Sequence, residues 1–198
     1  MIPRRGLLAA PLFAAPLLAA TPLHAQEPLL AALRGGGVTA YMRHAITDRS
    51  QGDSGRLDDR AGQRNLSPAG IAQAEALGQA WRRLALPLGD VLASPVFRAR
   101  ETAELAFGRD AVRVEPFLTA DDYTPDPALL ARNIAATRAR LARAPAHGND
   151  VLVGHIVPLG MILGRSLGQA EFPEGSLALF RPAAGFLGIL PAEAVIGA

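Results

Sequence analysis

Val38-Thr39-Ala40-Tyr41-Met42-Arg43-His44 follows the breaker run Gly35-Gly36-Gly37. Glycines before a short, mostly apolar segment mark a loop leading into a strand, here roughly Val38 to Met42. They do not read as a dinucleotide-binding turn, because no helix follows them. The strand ends on Arg43 and His44, two side chains suited to an anion.

Downstream, strand and helix patterns alternate. Ser67-Pro68 predicts a helix start, with a hydroxyl cap and proline at the first helical position. Ile71, Ala74, Leu77, Trp81 and Leu84 follow at three- and four-residue spacing and predict one apolar face, ended by Pro87. Asp90 to Ala93 reads as a buried strand, and Ser94-Pro95 repeats the cap signal for a helix through about Phe107. A weaker strand is expected at Val112 to Glu115, then a helix from Pro127 to about Arg143. The apolar strand Asp150 to Gly154 comes next, followed by a helix from Val157-Pro158 to about Leu167. Leu177 to Phe180 and Phe186 to Leu190 predict two closing strands around a turn at Pro182 to Gly185. The expected fold is α/β: a three-layer sandwich whose mostly parallel central sheet is flanked by helices.

The chain has 198 residues, enough for one well-buried core. Without cysteine it has neither a disulfide framework nor thiolate metal ligands. Residues 1–25 read as a cleavable export signal, with Arg4-Arg5, an apolar run over residues 7–20, and Leu23-His24-Ala25 before Gln26. Pro11, Pro16 and Pro22 and the short length argue against a permanent membrane anchor. The arginine pair also fits a twin-arginine signal, so the export route stays open. The expected location is periplasmic or secreted, with residues 26–198 as a single domain. Every basic residue is arginine. Removing Arg4 and Arg5 leaves 18 arginines against 18 acids, formally neutral. With no basic stripe interleaved with aromatics, a nucleic-acid partner is not expected. Nothing in the sequence sets the oligomeric state.

Ligands of open parallel sheets bind outside the carboxyl ends of the strands. Three predicted ends carry suitable chemistry: Arg43-His44, Ser94 with Arg98 one turn on, and Gly154-His155. Arginine presents planar donors to a phosphate, a helix start adds backbone N–H groups, and a neutral imidazole can attack phosphorus. No carboxylate falls at these ends, so no metal site and no cofactor are expected. Singly, each residue has a plainer reading; Arg98, for one, could pair with Glu101 or Glu104 on its own helix. The long polar segment Thr47 to Asn65 carries Asp48, Asp53, Asp58 and Asp59 with Arg49, Arg56, Arg60 and Arg64. Its acid spacing does not fit a calcium loop, and its length suits a lid or binding loop.

Several strings resemble the histidine phosphatase superfamily, the phosphoglycerate-mutase-like fold. Tyr41-Met42-Arg43-His44-Ala45-Ile46-Thr47-Asp48 is similar to its Arg-His-Gly signature, and Asn65-Leu66-Ser67-Pro68-Ala69-Gly70 to the helix start that follows. Ser94-Pro95-Val96-Phe97-Arg98-Ala99-Arg100-Glu101-Thr102-Ala103 resembles its second arginine motif, and Val153-Gly154-His155 its second histidine motif. The resemblance implies a metal-independent phosphomonoesterase. His44 would form a phosphohistidine, and Arg43, Arg98 and His155 would build the phosphate pocket. Thr47 is assigned to substrate binding. Two departures stand out. Ala45 replaces the usual glycine. The usual acid after the third strand aligns with Ala120, leaving Asp121 as the expected proton donor and Asp122 or Glu115 as alternatives. The expected partner is a small phosphorylated substrate, including envelope sugar phosphates. Protein phosphohistidine hydrolysis and a non-catalytic phosphate-binding role are the competing readings.

Overall fold

The structure, a computed structural model, describes residues 26–198. The export signal expected at residues 1–25 lies outside the described residues.

The elements run α1 (Glu27–Gly35), β1 (Thr39–Arg43), α2 (Pro68–Arg83), β2 (Leu88–Ala93), α3 (Phe97–Phe107), β3 (Val112–Val114), α4 (Pro127–Ala142), β4 (Asn149–Gly154), α5 (Ile156–Leu163), β5 (Leu177–Arg181), β6 (Gly185–Leu190) and α6 (Ala192–Ile196). Short 3₁₀ turns lie at Arg109–Ala111, Pro116–Leu118 and Asp121–Tyr123. The six strands form one sheet in the order β3-β2-β4-β1-β5-β6. From β3 to β1 the pairs are parallel; β5 and β6 are antiparallel. This is the α/β sandwich expected.

Alternation along the strands divides the core. Ala40, Met42, Val91, Ala93, Val151 and Val153 face one layer, which Leu33 of α1, Leu77 and Trp81 of α2, Ala99 and Ala103 of α3, and Val195 of α6 complete. Tyr41, Leu92 and Leu152 face the other layer, with Leu141 of α4, Leu159 of α5 and Phe172. Each fully buried leucine among them contributes roughly 1.5–3 kcal/mol. Central strands covered on both faces have little room for polar residues, hence the apolar run of β4.

Four local expectations need correction. Ile71 is 42% exposed, because it sits beyond the edge of the α2 stripe that Ala74, Leu77 and Trp81 define. The helix after β2 begins at Phe97, not at Ser94-Pro95, with Val96 as its cap residue. The Ser94 hydroxyl is used elsewhere, accepting the Val96 N–H and meeting the His155 ring. Gly164, in the left-handed conformation, ends α5 well before Leu167. The short helices α1 and α6 were not anticipated, since each buries only two side chains and leaves little periodic signal.

Candidate active site

The sheet order sets β4 between β1 and β2. Arg43 is in register with Gly154, and Ala93 with Val153. The segments leaving these three strands therefore emerge side by side, and the residues that follow meet. The His44 and His155 rings lie 5.5 Å apart, centroid to centroid, at 54°. Arg43, His44, Arg98 and His155 are all buried. The structure brings the four together.

Each is held by a different device. Arg43 donates through Nη1 to the Phe172 carbonyl at 2.6 Å, and Glu174 lies 4.0 Å from its Nη2. The His44 N–H donates to the Gly154 carbonyl at 3.1 Å, and the His44 carbonyl accepts the Gly175 N–H at 3.0 Å. The His155 backbone is closed by Tyr41, whose hydroxyl accepts the His155 N–H at 2.9 Å and donates to the His155 carbonyl at 3.0 Å. Gly154 allows this approach, because a Cβ there would collide with the Tyr41 hydroxyl. Thr102 accepts the Ala45 N–H at 2.9 Å and donates to the Arg98 carbonyl at 2.6 Å, tying the loop after β1 to α3. Gln63, fully buried in the long segment, accepts the Phe97 N–H at 3.0 Å and so caps α3 in place of the serine expected.

Protonation follows from these partners. His44 Nδ1 lies 2.9 Å from the Ala45 carbonyl, which only accepts, so Nδ1 carries the proton and Nε2 the lone pair. Burial, then the charges of Arg98 and Arg43, holds the His44 pKa well below the usual imidazole range. Burial and the same arginines lower His155 likewise. Burial also lowers Arg43, to about 10, against the opposing pull of Glu174. Both imidazoles are thus neutral at pH 7. The His155 Nε2 sits 2.9 Å from Ser94 Oγ, which also accepts the Val96 N–H at 3.2 Å. His155 Nδ1, Arg43 Nε and Arg98 Nε are buried with no hydrogen-bond partner.

Carboxylates reach the site through loops, which strand-end reasoning does not register. Arg98 pairs with Asp53 at 2.9 Å and Asp122 at 3.3 Å, not with Glu101 or Glu104, which bind Arg60 and Arg100. Asp53 also accepts the Tyr123 hydroxyl at 2.5 Å and the Arg64 N–H at 2.9 Å. Burial alone would raise Asp53, but the Tyr123 and Arg64 hydrogen bonds and the Arg98 charge outweigh it and hold the carboxyl below its ordinary pKa. Partial burial raises Asp122, with Asp53 and Asp121 acting in the same direction against Arg98.

The remaining expected residues fare differently. Thr47 donates its hydroxyl proton to Glu174 at 2.7 Å. Its hydroxyl is thus engaged by the same carboxylate that lies near Arg43. Asp121 opens its 3₁₀ turn without a side-chain hydrogen bond or ion pair among the described residues. Glu115 is drawn 2.8 Å to Arg113. Ala45 is fully buried without positive φ, so alanine meets no conformational penalty where the signature has glycine. Ser94 Oγ, Tyr41, Tyr123 and Glu174 escaped sequence reasoning. Only Ser94, at a strand end, carried a usable signal. Among the described residues no group of three or more His, Asp or Glu side chains is arranged to hold a metal ion.

Residues 40–121 match the family model of the histidine phosphatase superfamily, branch 1. No curated protein matches the chain in sequence. Among solved structures, the protein histidine phosphatase SixA, complexed with tungstate, is similar at 18% identity and a TM-score of 0.52, with 78% of this chain and 97% of that one covered. The alpha-ribazole phosphatase from Shigella flexneri shares 16% identity at a TM-score of 0.54, covering 78% and 96%. The product of open reading frame Rv3214 from Mycobacterium tuberculosis shares 19% at 0.54, covering 77% and 95%. At such identities the likeness is one of fold. Over residues 40–121 the chain is thus similar in sequence to the histidine phosphatase superfamily, and it shares the fold of these solved structures.

Proposed function

We propose that the chain is a metal-independent phosphomonoester hydrolase that works outside the cytoplasm on small phosphorylated substrates through a phosphohistidine on His44. One observation carries the reading: a neutral imidazole with a free Nε2 stands among buried arginine and histidine nitrogens that lack partners. Unpaired buried donors each cost about 1–3 kcal/mol, and a tetrahedral anion would satisfy them.

In the proposed reaction His44 Nε2 forms a bond to phosphorus as the ester P–O bond breaks. Arg43, Arg98 and His155 hold the non-bridging oxygens as charge develops. For His155 to donate from Nδ1, the Ser94 hydroxyl must donate to Nε2. The departing oxygen takes a proton from a carboxyl group, and Asp122 supports this role better than Asp121 because it contacts Arg98 and its pKa is raised. Water then attacks the phosphohistidine, gives its proton to the carboxylate, and releases phosphate and free His44.

The test is a panel of phosphomonoesters assayed with wild type and His44→Ala, with acid-quenched trapping of a labelled phosphoenzyme. The expected result is at least about a thousand-fold loss and label on His44 alone. An unchanged rate in the variant overturns the reading. Phosphate binding without turnover or label would assign a non-catalytic role, and turnover confined to phosphohistidine peptides would move the substrate class to protein.

A further inference from the structure

The four arginines of the segment between Thr47 and Asn65 look alike in sequence, but the structure separates them. Arg49 reaches Glu174 at 3.6 Å, Arg56 pairs with Asp58 at 3.2 Å, and Arg60 grips Glu101 at 2.6 Å. Arg64 pairs with no acid among the described residues, and its buried Nε has no hydrogen-bond partner.

Its position is fixed rather than incidental. The Arg64 N–H donates to the Asp53 carboxylate that Arg98 and Tyr123 also hold. The next residue, Asn65, is buried, and its side-chain amide donates to the carbonyls of Arg60 and Gln63. Arg64 is thus linked through one carboxylate to the second arginine of the site. Its charge also bears on both imidazoles and on Arg43.

Charge balance gives this placement a consequence. Arg43 has Glu174 near it, and Arg98 has Asp53 and Asp122. Those two guanidinium groups can orient an anion, but nearby carboxylates offset much of their charge. Arg64 is an arginine beside the site that makes no ion pair with a carboxylate among the described residues; the charge of Asp53, already held by Arg98 and Tyr123, reaches it only through space.

We propose that Arg64 is a third arginine of the phosphate pocket and makes the site selective for a doubly charged phosphoryl group over a singly charged one. This deepens the phosphatase reading and rests on it. A monoester dianion retains a charge for Arg64 to meet; a diester monoanion does not, and would leave the guanidinium unpaired.

The test uses two tetrahedral oxyanions of similar size and different charge, tungstate (dianion) and perrhenate (monoanion). Their binding is measured by calorimetry on wild type, Arg64→Gln and Arg64→Lys. Wild type is expected to favour tungstate. Arg64→Gln should weaken tungstate by at least about tenfold, the scale of one lost charge-assisted hydrogen bond, while changing perrhenate less than about threefold. Arg64→Lys should recover part of the loss. Tungstate binding within twofold of wild type in Arg64→Gln, or equal weakening of both anions, overturns the inference and leaves the phosphatase reading standing. If wild type binds neither anion, the phosphate pocket itself is refuted.

Discussion

Ser94 Oγ lies 2.9 Å from His155 Nε2 while accepting the Val96 N–H. A hydroxyl at the end of one strand thus orients an imidazole at the end of its neighbour. Ser94→Ala should leave the fold intact and lower kcat by about ten- to a hundredfold, since His155 loses both its orientation and its tautomer bias. Steady-state kinetics with an aryl phosphate checks this; a kcat within twofold of wild type would remove Ser94 from the site.

Tyr41 closes both backbone groups of His155 from a fully buried position. Tyr41→Phe leaves the buried His155 N–H without a partner, while the His155 carbonyl keeps the Leu159 N–H, so urea denaturation should show a loss of about 1–3 kcal/mol. A loss below about 0.5 kcal/mol would show that the N–H finds another partner.

Both site histidines have depressed pKa values, and the direction fixes the pH response. Below about pH 6.5 the unfolded chain takes up protons that the folded chain refuses. Their contribution to stability is therefore complete above pH 6.5 and shrinks as pH falls toward the lowered folded values. The urea midpoint should drop from pH 7 to pH 5, with a smaller drop in His155→Asn. NMR should show the His44 and His155 ring signals unmoved between pH 8 and pH 6.5. Titration of either near 6.5 would contradict the burial argument.

Asp122 contacts Arg98 and Asp121 does not. Asp122→Asn should slow alkyl phosphates by about a hundredfold or more and aryl phosphates far less, because a good leaving group needs little protonation. Asp121→Asn should slow both by less than about fivefold. Equal slowing of the two substrate types by Asp122→Asn would deny it the donor role.

Gly70 lies in the first turn of α2, where an added Cβ would collide with the Ile46 carbonyl. Gly70→Ala must push back the loop that follows His44. It should destabilise the chain by about 1–3 kcal/mol and reduce kcat as well. Full activity with an unchanged midpoint would show that this loop moves freely.

Much of this molecule was legible before any coordinates. β1, β2 and β4 announce themselves as short apolar runs between breakers, and Ser67-Pro68 caps α2 as its residue types require. Arg43, His44, Arg98 and His155 were legible because strand ends of a parallel sheet share one edge. The failures have a common cause. Ser94-Pro95 carries the same dipeptide signal as Ser67-Pro68, yet its hydroxyl turns to His155 and Gln63 caps the helix instead. Thr47 gave no sign in sequence that its hydroxyl donates to Glu174, far along the chain.

The sequence by itself determined the α/β class, the order of the central strands and helices, and the identity of four polar residues at or just beyond strand ends, because periodicity and capping are local properties of a chain. The tertiary structure alone decided which carboxylates face which arginines, which hydroxyl meets the His155 ring, and why Arg64 differs from Arg49, Arg56 and Arg60. Those outcomes depend on partners brought together across loops, where neither spacing nor composition carries information about distance.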